Sequence, residues 1–128
     1  MEVAKKKVHR IFVYGTLKKN QYFHERYLGG DKSVSLGRGI ASPDYSLYVD
    51  GLPHMVKEPT DQPVKGELYE VDEDVLKTLD DLEGHPVVYK REIIEVYDEV
   101  GERVLAWTYL RNISFKGKKN AWKESEFV

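Results

Sequence analysis

Short apolar runs of the length of β-strands recur along this chain, and turn-forming residues separate them. The first run, residues 9–14, is apolar on both faces at its end, which predicts a central strand that stops at Gly15. In the run over residues 33–41, Gly37 and Gly39 predict a bend or a bulge. Further strands are predicted over residues 33–41, 45–49, 54–57, 64–71, 88–97 and 103–110.

Two pairs of these strands are predicted to form hairpins. Asp50-Gly51 separates the members of one pair, and Gly101 lies between the last two strands, at positions where glycine accepts a positive φ. In the first strand of the second hairpin, the alternation of apolar and polar residues breaks at Ile93-Ile94. This break predicts a bulge at that point.

Helical periodicity is clear in one segment, residues 72–82. Asp72 can cap its first turn, because a short acceptor side chain satisfies an unpaired backbone N–H there. Gly84 ends the helix through its left-handed backbone freedom, and Pro86 prevents a restart. A second, short helix is predicted over residues 21–28. The apolar face of the main helix consists of Val75, Leu76, Leu79 and Leu82.

Six or seven short strands with one main helix predict an α+β fold. We expect a small, closed or nearly closed mixed β-barrel with short extra helices, rather than a doubly wound sheet. At 128 residues the chain is expected to be a single domain, 1–128, large enough to bury a core. Residues from about 112 onward lack clear periodicity, which predicts a polar C-terminal tail.

Composition and charge remove several classes of protein. A hydrophobic fraction of 41% and a charged fraction of 33% are typical of a globular chain, and a net charge of −2 gives no reason to expect nucleic acid as a partner. Because the chain has no cysteine, disulfides, thiol nucleophiles and thiolate metal sites are excluded. No apolar run is long enough to span a bilayer or to form a signal peptide, so we expect a cytoplasmic location.

The end of the main helix is unusual in its charge. Asp80, Asp81 and Glu83 lie where the partial negative charge of a helix normally attracts Lys or Arg. A carboxyl group at such a place is expected to hold its proton tightly, as a general acid/base near neutral pH must. We expect Asp80 and Asp81 to be solvated. Glu83 is the candidate acid/base, although its position also fits an exposed residue paired with Lys90 or Arg91.

A candidate binding loop, Tyr14-Gly15-Thr16-Leu17, follows the first strand directly. A glycine here can let consecutive backbone N–H groups turn toward one point, where they bind an anion such as a substrate carboxylate. Thr16 adds a hydroxyl group that donates or accepts a hydrogen bond. The same residues also fit an ordinary turn at the end of a strand, followed by two solvated lysines.

Several aromatic side chains are candidates for the walls of a pocket. Tyr89 and Arg91 are two positions apart in a predicted strand and therefore share a face. Tyr48 and Tyr109 could line the same pocket, whereas Trp107 is expected in the core. With nine tyrosines in the chain, most are expected to belong to the barrel wall. The four histidines are scattered without the spacing of metal ligands.

Four segments, taken in order, resemble one protein family. They are Phe12-Val13-Tyr14-Gly15-Thr16-Leu17, Tyr48 with Gly51-Leu52-Pro53, Gly66-Glu67-Leu68-Tyr69, and Leu79-Asp80-Asp81-Leu82-Glu83-Gly84-His85-Pro86 with Tyr89 and Arg91. In this order they closely resemble the γ-glutamylcyclotransferase-like family, which includes γ-glutamylamine cyclotransferases. The resemblance extends from about Phe12 to Leu110, and it implies a small mixed β-barrel, in agreement with the periodicity.

The resemblance also implies an activity and its residues. The catalytic glutamate corresponds to Glu83, and the substrate-binding loop to Tyr14, Gly15, Thr16 and Leu17. In the family's reaction, the substrate's own α-amine attacks its γ-amide carbonyl and releases 5-oxoproline with an amine or amino acid. Since the substrate brings the nucleophile, no metal or cofactor is expected. The expected partner is a small γ-glutamyl substrate, not nucleic acid or a membrane.

Two other hypotheses remain open at this stage. The chain could be a non-catalytic module that binds a small carboxylate or amino-acid-like ligand in the same pocket. Glu83 favours the enzyme, because a binder of an acidic ligand has little use for another negative charge. The third hypothesis is a related amine-releasing or amine-transferring acyl chemistry on a larger, carrier-bound substrate. The sequence identifies neither the leaving amine nor the oligomeric state.

Overall fold

Most of the strands form one barrel in this computed structural model, which describes residues 7–15, 17–21, 23–50, 52–111 and 118–119. The strands are β1 (Val8–Val13), β2 (Ser33–Ala41), β3 (Tyr45–Asp50), β4 (Leu52–Lys57), β5 (Lys65–Asp72), β6 (Tyr89–Asp98), β7 (Arg103–Arg111) and β8 (Lys118–Lys119). The helices are α1 (His24–Leu28) and α2 (Glu73–Glu83), with a 3₁₀ turn at Gly30–Lys32.

The barrel has the strand order β1-β5-β2-β6-β7 and closes where β1 meets β7. That closing pair is parallel, with Ile11 opposite Trp107, whereas the other neighbours are antiparallel. Buried Thr108 adds a cross-link, because its hydroxyl donates to the Phe12 carbonyl oxygen at 2.9 Å. The core is formed by Phe12, Ala41, Leu47, Met55, Val64, Leu68, Ile94, Val96, Ala106 and Leu110.

The hairpin β3–β4 belongs to a separate three-stranded sheet with the order β4-β3-β8. It contributes Leu47 and Met55 to the barrel core, and β4 contacts β7. The backbone of Lys118 and Lys119 pairs with β3, so part of the predicted polar tail is a strand. The remaining tail positions, and Gly51 at the hairpin turn, lie outside the described residues.

The main helix α2 begins and ends as its sequence predicts. The Val75 backbone N–H donates to the Asp72 carboxylate at 2.9 Å, which caps the first turn. Gly84 ends the helix with φ at 65°. Leu76 and Leu79 are buried against the outer face of the barrel, in a second core that β1 and β5 share. This packing fixes the end of α2 beside the end of β1.

Two bulges and the start of the first helix were predicted from the sequence, and only one of these details agrees with the structure. The predicted bulge in β2 is present as a register shift between Ser35 and Gly37. The bulge predicted at Ile93-Ile94 is wrong, because β6 pairs with β7 in unbroken register from end to end. Ile94 points into the core, whereas Ile93 is 52% exposed, so the alternation continues with an apolar residue on the outer face. The first helix begins at His24 rather than at residue 21.

The fold class is the expected one, a small mixed barrel with few helices. Its strands are divided between a five-stranded barrel and the separate sheet, whereas a single barrel of six or seven strands was expected. Among the described residues, neither helix is long and apolar enough to cross a membrane.

Candidate active site

The loop after β1 and the C-terminal end of α2 meet at a cavity of about 190 Å³. Of the predicted site residues, Tyr14, Gly15, Leu17 and Glu83 all line this cavity. The fifth, Thr16, lies outside the described residues. The structure therefore brings together the two sequence segments that were singled out as candidate sites, although 65 or more positions separate Glu83 from the loop.

Glycine is needed at position 15 because the β3–β4 sheet comes very close. A Cβ atom at Gly15 would lie 2.9 Å from the Pro53 side chain. The next turn is closed by the Lys18 N–H, which donates to the Gly15 carbonyl oxygen at 3.0 Å. No described residue accepts a hydrogen bond from the N–H groups of Gly15 and Leu17. Both residues line the cavity, so these two donors are candidates for binding a ligand.

Two neighbouring elements hold this loop from outside. The Lys19 N–H donates to the Glu67 carboxylate of β5 at 2.6 Å. The same carboxylate accepts the Tyr69 hydroxyl hydrogen at 2.9 Å. On the other side, His24 Nδ1 lies 2.9 Å from the Leu17 carbonyl oxygen and donates to it. The loop is thus fixed at its backbone by side chains from β5 and α1.

Glu83 is the last residue of α2 and faces the cavity. Burial raises the pKa of its carboxyl group from 4.5 to about 7. Burial is the cause of this shift, and no hydrogen bond from a described residue to this carboxyl group offsets it. A carboxyl group with a pKa near neutrality can both take up and release a proton at physiological pH.

Two tyrosines next to Glu83 are joined to each other and to the framework. The Tyr14 hydroxyl donates to the Tyr109 carbonyl oxygen at 2.6 Å and accepts from the Met55 N–H at 3.3 Å. The Tyr109 hydroxyl donates to the Asp80 carboxylate at 2.7 Å. Burial and the nearby carboxylates raise the pKa of both hydroxyls well above 10, so both keep their protons at neutral pH.

The expectation that Asp80 is solvated is wrong. Its carboxylate accepts from Arg91 Nε at 2.9 Å as well as from Tyr109, and its side chain is only 17% exposed. Arg91 also packs over the Trp107 ring, with its guanidinium carbon 4.3 Å from the ring centroid. Arg91 therefore pairs with Asp80 and not with Glu83. Asp81, in contrast, is exposed, as expected.

Tyr89 forms a further wall of the cavity. Its hydroxyl is hydrogen-bonded to Nδ1 of the buried His54, and the Arg111 guanidinium lies 5.3 Å from the centre of its ring. Burial, with a smaller contribution from Glu83, raises the pKa of Tyr89 to about 12. Tyr48, another candidate, is not among the residues that line the cavity, and its hydroxyl donates to Glu58 at 2.6 Å.

Sequence reasoning missed His54 and did not assign a role to Asp80. No local pattern marks either residue, because each acts through a tyrosine that is distant in sequence. Within the described ranges, no cluster of three or more His, Asp or Glu side chains is placed to share a metal ion. The remaining walls are apolar, from Phe12, Val13, Phe23, Leu52, Pro53 and Leu82.

Comparison with known proteins gives a consistent result. Residues 11–126 match the model of a family described as "Gamma-glutamyl cyclotransferase, AIG2-like". A Methanocaldococcus jannaschii protein with a provisional γ-glutamylcyclotransferase name is 39% identical over 99 residues, which cover 77% of this chain and 81% of that one. The γ-glutamylaminecyclotransferase of Rattus norvegicus is 39% identical over 103 residues, covering 76% and 65%.

Solved structures show the same likeness. A mouse AIG2-like protein superposes with a TM-score of 0.76 at 33% identity, covering 85% of this chain and 80% of that one. An uncharacterised protein of Pyrococcus horikoshii superposes with a TM-score of 0.67 at 32% identity, covering 87% and 84%. Both identities are high enough for the likeness to concern more than the outline of the barrel.

Proposed function

Because this chain belongs to the AIG2-like γ-glutamyl cyclotransferase family, we propose that it is a γ-glutamyl cyclotransferase with Glu83 as its general acid/base. The substrate's α-amine attacks the γ-amide carbonyl carbon, a five-membered ring closes, and the bond to the leaving nitrogen breaks. The products are 5-oxoproline and a free amine or amino acid. The observation that supports this proposal best is a carboxyl group with a pKa of about 7 in the cavity beside the Tyr14–Leu17 loop.

Glu83 accounts for the protons of this reaction. An ammonium group cannot attack a carbonyl, so the α-ammonium must first lose a proton, and the leaving nitrogen must gain one. One carboxylate can take up the first proton and deliver it to the leaving group. The attacking nitrogen loses a second proton when it becomes the ring amide, and the regenerated carboxylate can take this proton up and release it to the freed amine or to water. Proton transfer of this kind typically contributes about 10²–10⁴-fold to the rate.

The loop after β1 accounts for the developing negative charge. When the amine attacks, the γ-carbonyl oxygen becomes an oxyanion, which backbone N–H groups stabilise strongly in a site shielded from water. Gly15 and Leu17 have N–H groups that no described residue uses. Their fixed positions beside the cavity also suit the substrate carboxylate, and holding the chain folded for ring closure lowers the barrier further.

The reaction as proposed needs no metal or cofactor, because the nucleophile belongs to the substrate and the proton carrier is a side chain. The proposed partner is a small γ-glutamyl molecule rather than nucleic acid or a membrane. We also propose a cytoplasmic location, in keeping with a chain that uses no cysteine.

The test is turnover of a panel of γ-glutamyl amines and γ-glutamyl amino acids, with 5-oxoproline measured by mass spectrometry. For a substrate that the protein converts, Glu83→Gln should lower kcat by about 10²–10⁴-fold. Asp81→Asn is the matched control, because it makes the same chemical change at an exposed position two residues earlier. Asp81→Asn should leave kcat unchanged.

Two outcomes would contradict the proposal. One is a panel from which no member yields 5-oxoproline, and the other is full activity in Glu83→Gln. The alternative, a binding module, gives its own signature. Ligands would raise the melting temperature without being consumed, and this effect would survive Glu83→Gln.

A further inference from the structure

We infer that Asp80 is a positioning residue, which turns the Tyr109 hydroxyl into a hydrogen-bond acceptor for the substrate's α-ammonium group. This inference rests on the proposed function, since it concerns the amine that attacks. It gives Tyr109 a binding role beyond that of a cavity wall. It also explains why Asp80, one helical turn before the candidate catalytic acid, is largely buried and paired with Arg91.

A tyrosine hydroxyl has one hydrogen to donate and two lone pairs to accept with. The single hydrogen of Tyr109 points to the Asp80 carboxylate, at an oxygen-to-oxygen distance of 2.7 Å. A hydrogen bond to a charged acceptor is stronger than one between neutral groups, so a ligand cannot easily turn this hydrogen away. Toward the cavity, which Tyr109 lines, its oxygen can only accept.

Arg91 compensates the negative charge of the Asp80 carboxylate. Its Nε donates to the same Asp80 oxygen at 2.9 Å, and its guanidinium rests on the Trp107 ring. Arg91 and Tyr109 lie opposite each other on β6 and β7, so the register of the hairpin sets both donors against one carboxylate. The Asp80 charge is compensated outside the cavity and does not compete with Glu83 for the substrate's amine.

The hydrogen of the Tyr14 hydroxyl is also used in a hydrogen bond within the protein. It points to the Tyr109 carbonyl oxygen at 2.6 Å, so the remaining lone-pair capacity of this hydroxyl is also that of an acceptor. Glu83 lies near enough to both hydroxyls for its charge to act on them. Glu83, Tyr14 and Tyr109 all line the cavity, and because both hydroxyl hydrogens are already used, their polar groups can offer acceptors to a ligand. An ammonium group, with three N–H donors and a positive charge, is the part of a γ-glutamyl substrate that fits them.

Binding measured without turnover tests this inference. In the Glu83→Gln background, calorimetry would compare L-γ-glutamyl-n-propylamide with its des-amino analogue, N-propylglutaramic acid, which lacks only the α-amine. Adding Tyr109→Phe should weaken binding of the amine-bearing ligand about ten-fold, the usual effect of losing one hydrogen bond to a charged group. Binding of the des-amino analogue should stay the same.

Asp80 is tested through a double-mutant cycle in the same background. Asp80→Ala should weaken binding of the amine-bearing ligand, because it frees the Tyr109 hydroxyl from its fixed orientation. It should add little once Tyr109→Phe is present, because both changes act through the same hydroxyl group. Tyr48→Phe is the matched control, since it removes a tyrosine–carboxylate hydrogen bond away from the cavity and should change neither ligand. If Asp80→Ala does not fold, Tyr109→Phe still decides the question.

The inference is overturned if Tyr109→Phe leaves binding of the amine-bearing ligand unchanged, or if it weakens both ligands equally, as general damage to the cavity would. It is also overturned if Asp80→Ala and Tyr109→Phe add independently. These results are distinguishable from failure of the proposed function. In that case the wild-type chain would convert no γ-glutamyl compound, whatever residues contact the amine.

Discussion

The Glu83 carboxyl group is buried without a donor from any described residue, and this burial has a thermodynamic cost. A charged carboxylate loses its water on burial and regains nothing from a hydrogen bond, so its neutral form is favoured. Functional sites often contain groups of this kind, since a pKa suited to proton transfer is obtained by making the charged form less stable. The same cost should be visible in the stability of the protein.

We predict that Glu83→Gln stabilises the protein at high pH only. The pKa of Glu83 is about 7 in the folded state against an ordinary 4.5. Below pH 4.5 the group is neutral in both states, so its burial has no charge-related cost. Between pH 4.5 and 7 the Glu83 carboxyl group is ionised in the unfolded chain but still protonated in the folded protein. The free energy of unfolding therefore falls as the pH rises, and above pH 7 the total loss reaches about 3 kcal/mol. The amide of Gln has no such penalty.

Urea unfolding at pH 4, 6 and 8 measures this effect. The gain in the free energy of unfolding from Glu83→Gln should be near zero at pH 4 and largest at pH 8. The exposed Asp81→Asn variant controls for the change in net charge. A gain that is equal at the three pH values would show that the pKa of Glu83 is not raised in the folded protein.

The sequence marked Glu83 and the loop after β1 as candidates for the site, but not the network around Asp80. Glu83 and Gly15 belong to short motifs in which the neighbours along the chain define the pattern. Asp80 binds Arg91 and Tyr109, which are 11 and 29 positions away. Only the register of β6 against β7 brings those two side chains to one carboxylate. Local spacing contains no information on that register.

The helix α2 shows how an element places a functional group. Its first turn is capped by Asp72, its buried face fixes its rotation, and Gly84 ends it directly after Glu83. Gly84 has φ at +65°, and a Cβ atom there would lie 2.9 Å from Val88 Cγ2. Valine is stiff at χ1, so this neighbour cannot easily move away. The position of Glu83 therefore depends on the absence of a side chain at the next residue.

We predict that Gly84→Ala costs about 2 kcal/mol in the free energy of unfolding, because strain at positive φ adds to the contact with Val88. Gly101→Ala is the matched control, since Gly101 has φ at +82° with open space around it. It should cost about 1 kcal/mol from strain alone. Kinetics on a converted substrate should show reduced kcat for Gly84→Ala only. Equal losses at both positions would mean that the Val88 contact does not hold the helix end.

Features of helices and strands that depend on neighbouring residues could be predicted from the sequence. The regular pairing of β6, which has one buried and one partly exposed face, could not. The caps of α2 and the glycine bulge in β2 depend on residues within a few positions. The bulge predicted at Ile93-Ile94 assumed that an apolar residue must be covered. Ile93 lies opposite Trp107 on the outer face, where it remains half exposed. Alternation alone does not indicate which parts of a barrel surface other elements cover.

For the whole molecule, seven of the eight strands in the described residues were predicted from the sequence, but their division between a barrel and a separate sheet was not. Turn residues delimit each strand locally, and they correctly indicated the two hairpins, β3–β4 and β6–β7. That the first hairpin leaves the barrel and forms a separate sheet depends on long-range pairing. The consequence is functional, because β4 places Pro53 over Gly15 and so becomes a wall of the cavity.

Within the barrel, β1 and β5 approach each other very closely at Gly66. A Cβ atom at Gly66 would lie 2.3 Å from the Val13 carbonyl oxygen and 2.7 Å from the Phe12 ring. The nearest atom belongs to the backbone, so it can move only if β1 separates from β5. Because β1 leads directly into the loop at Tyr14, such a movement would also displace the cavity.

We therefore predict that Gly66→Ala lowers the free energy of unfolding by about 3 kcal/mol or more, at the upper end of overpacking effects. Gly39→Ala is the matched control in the opposite strand. Gly39 pairs with Gly66, but an added Cβ there meets the Val96 and Leu68 side chains rather than a backbone atom, so it should cost clearly less. Urea unfolding of the two variants measures the difference. If both lose the same stability, the side chains that face Gly39 are as rigid as the backbone that faces Gly66, and the close approach of β1 to β5 has no special importance for stability.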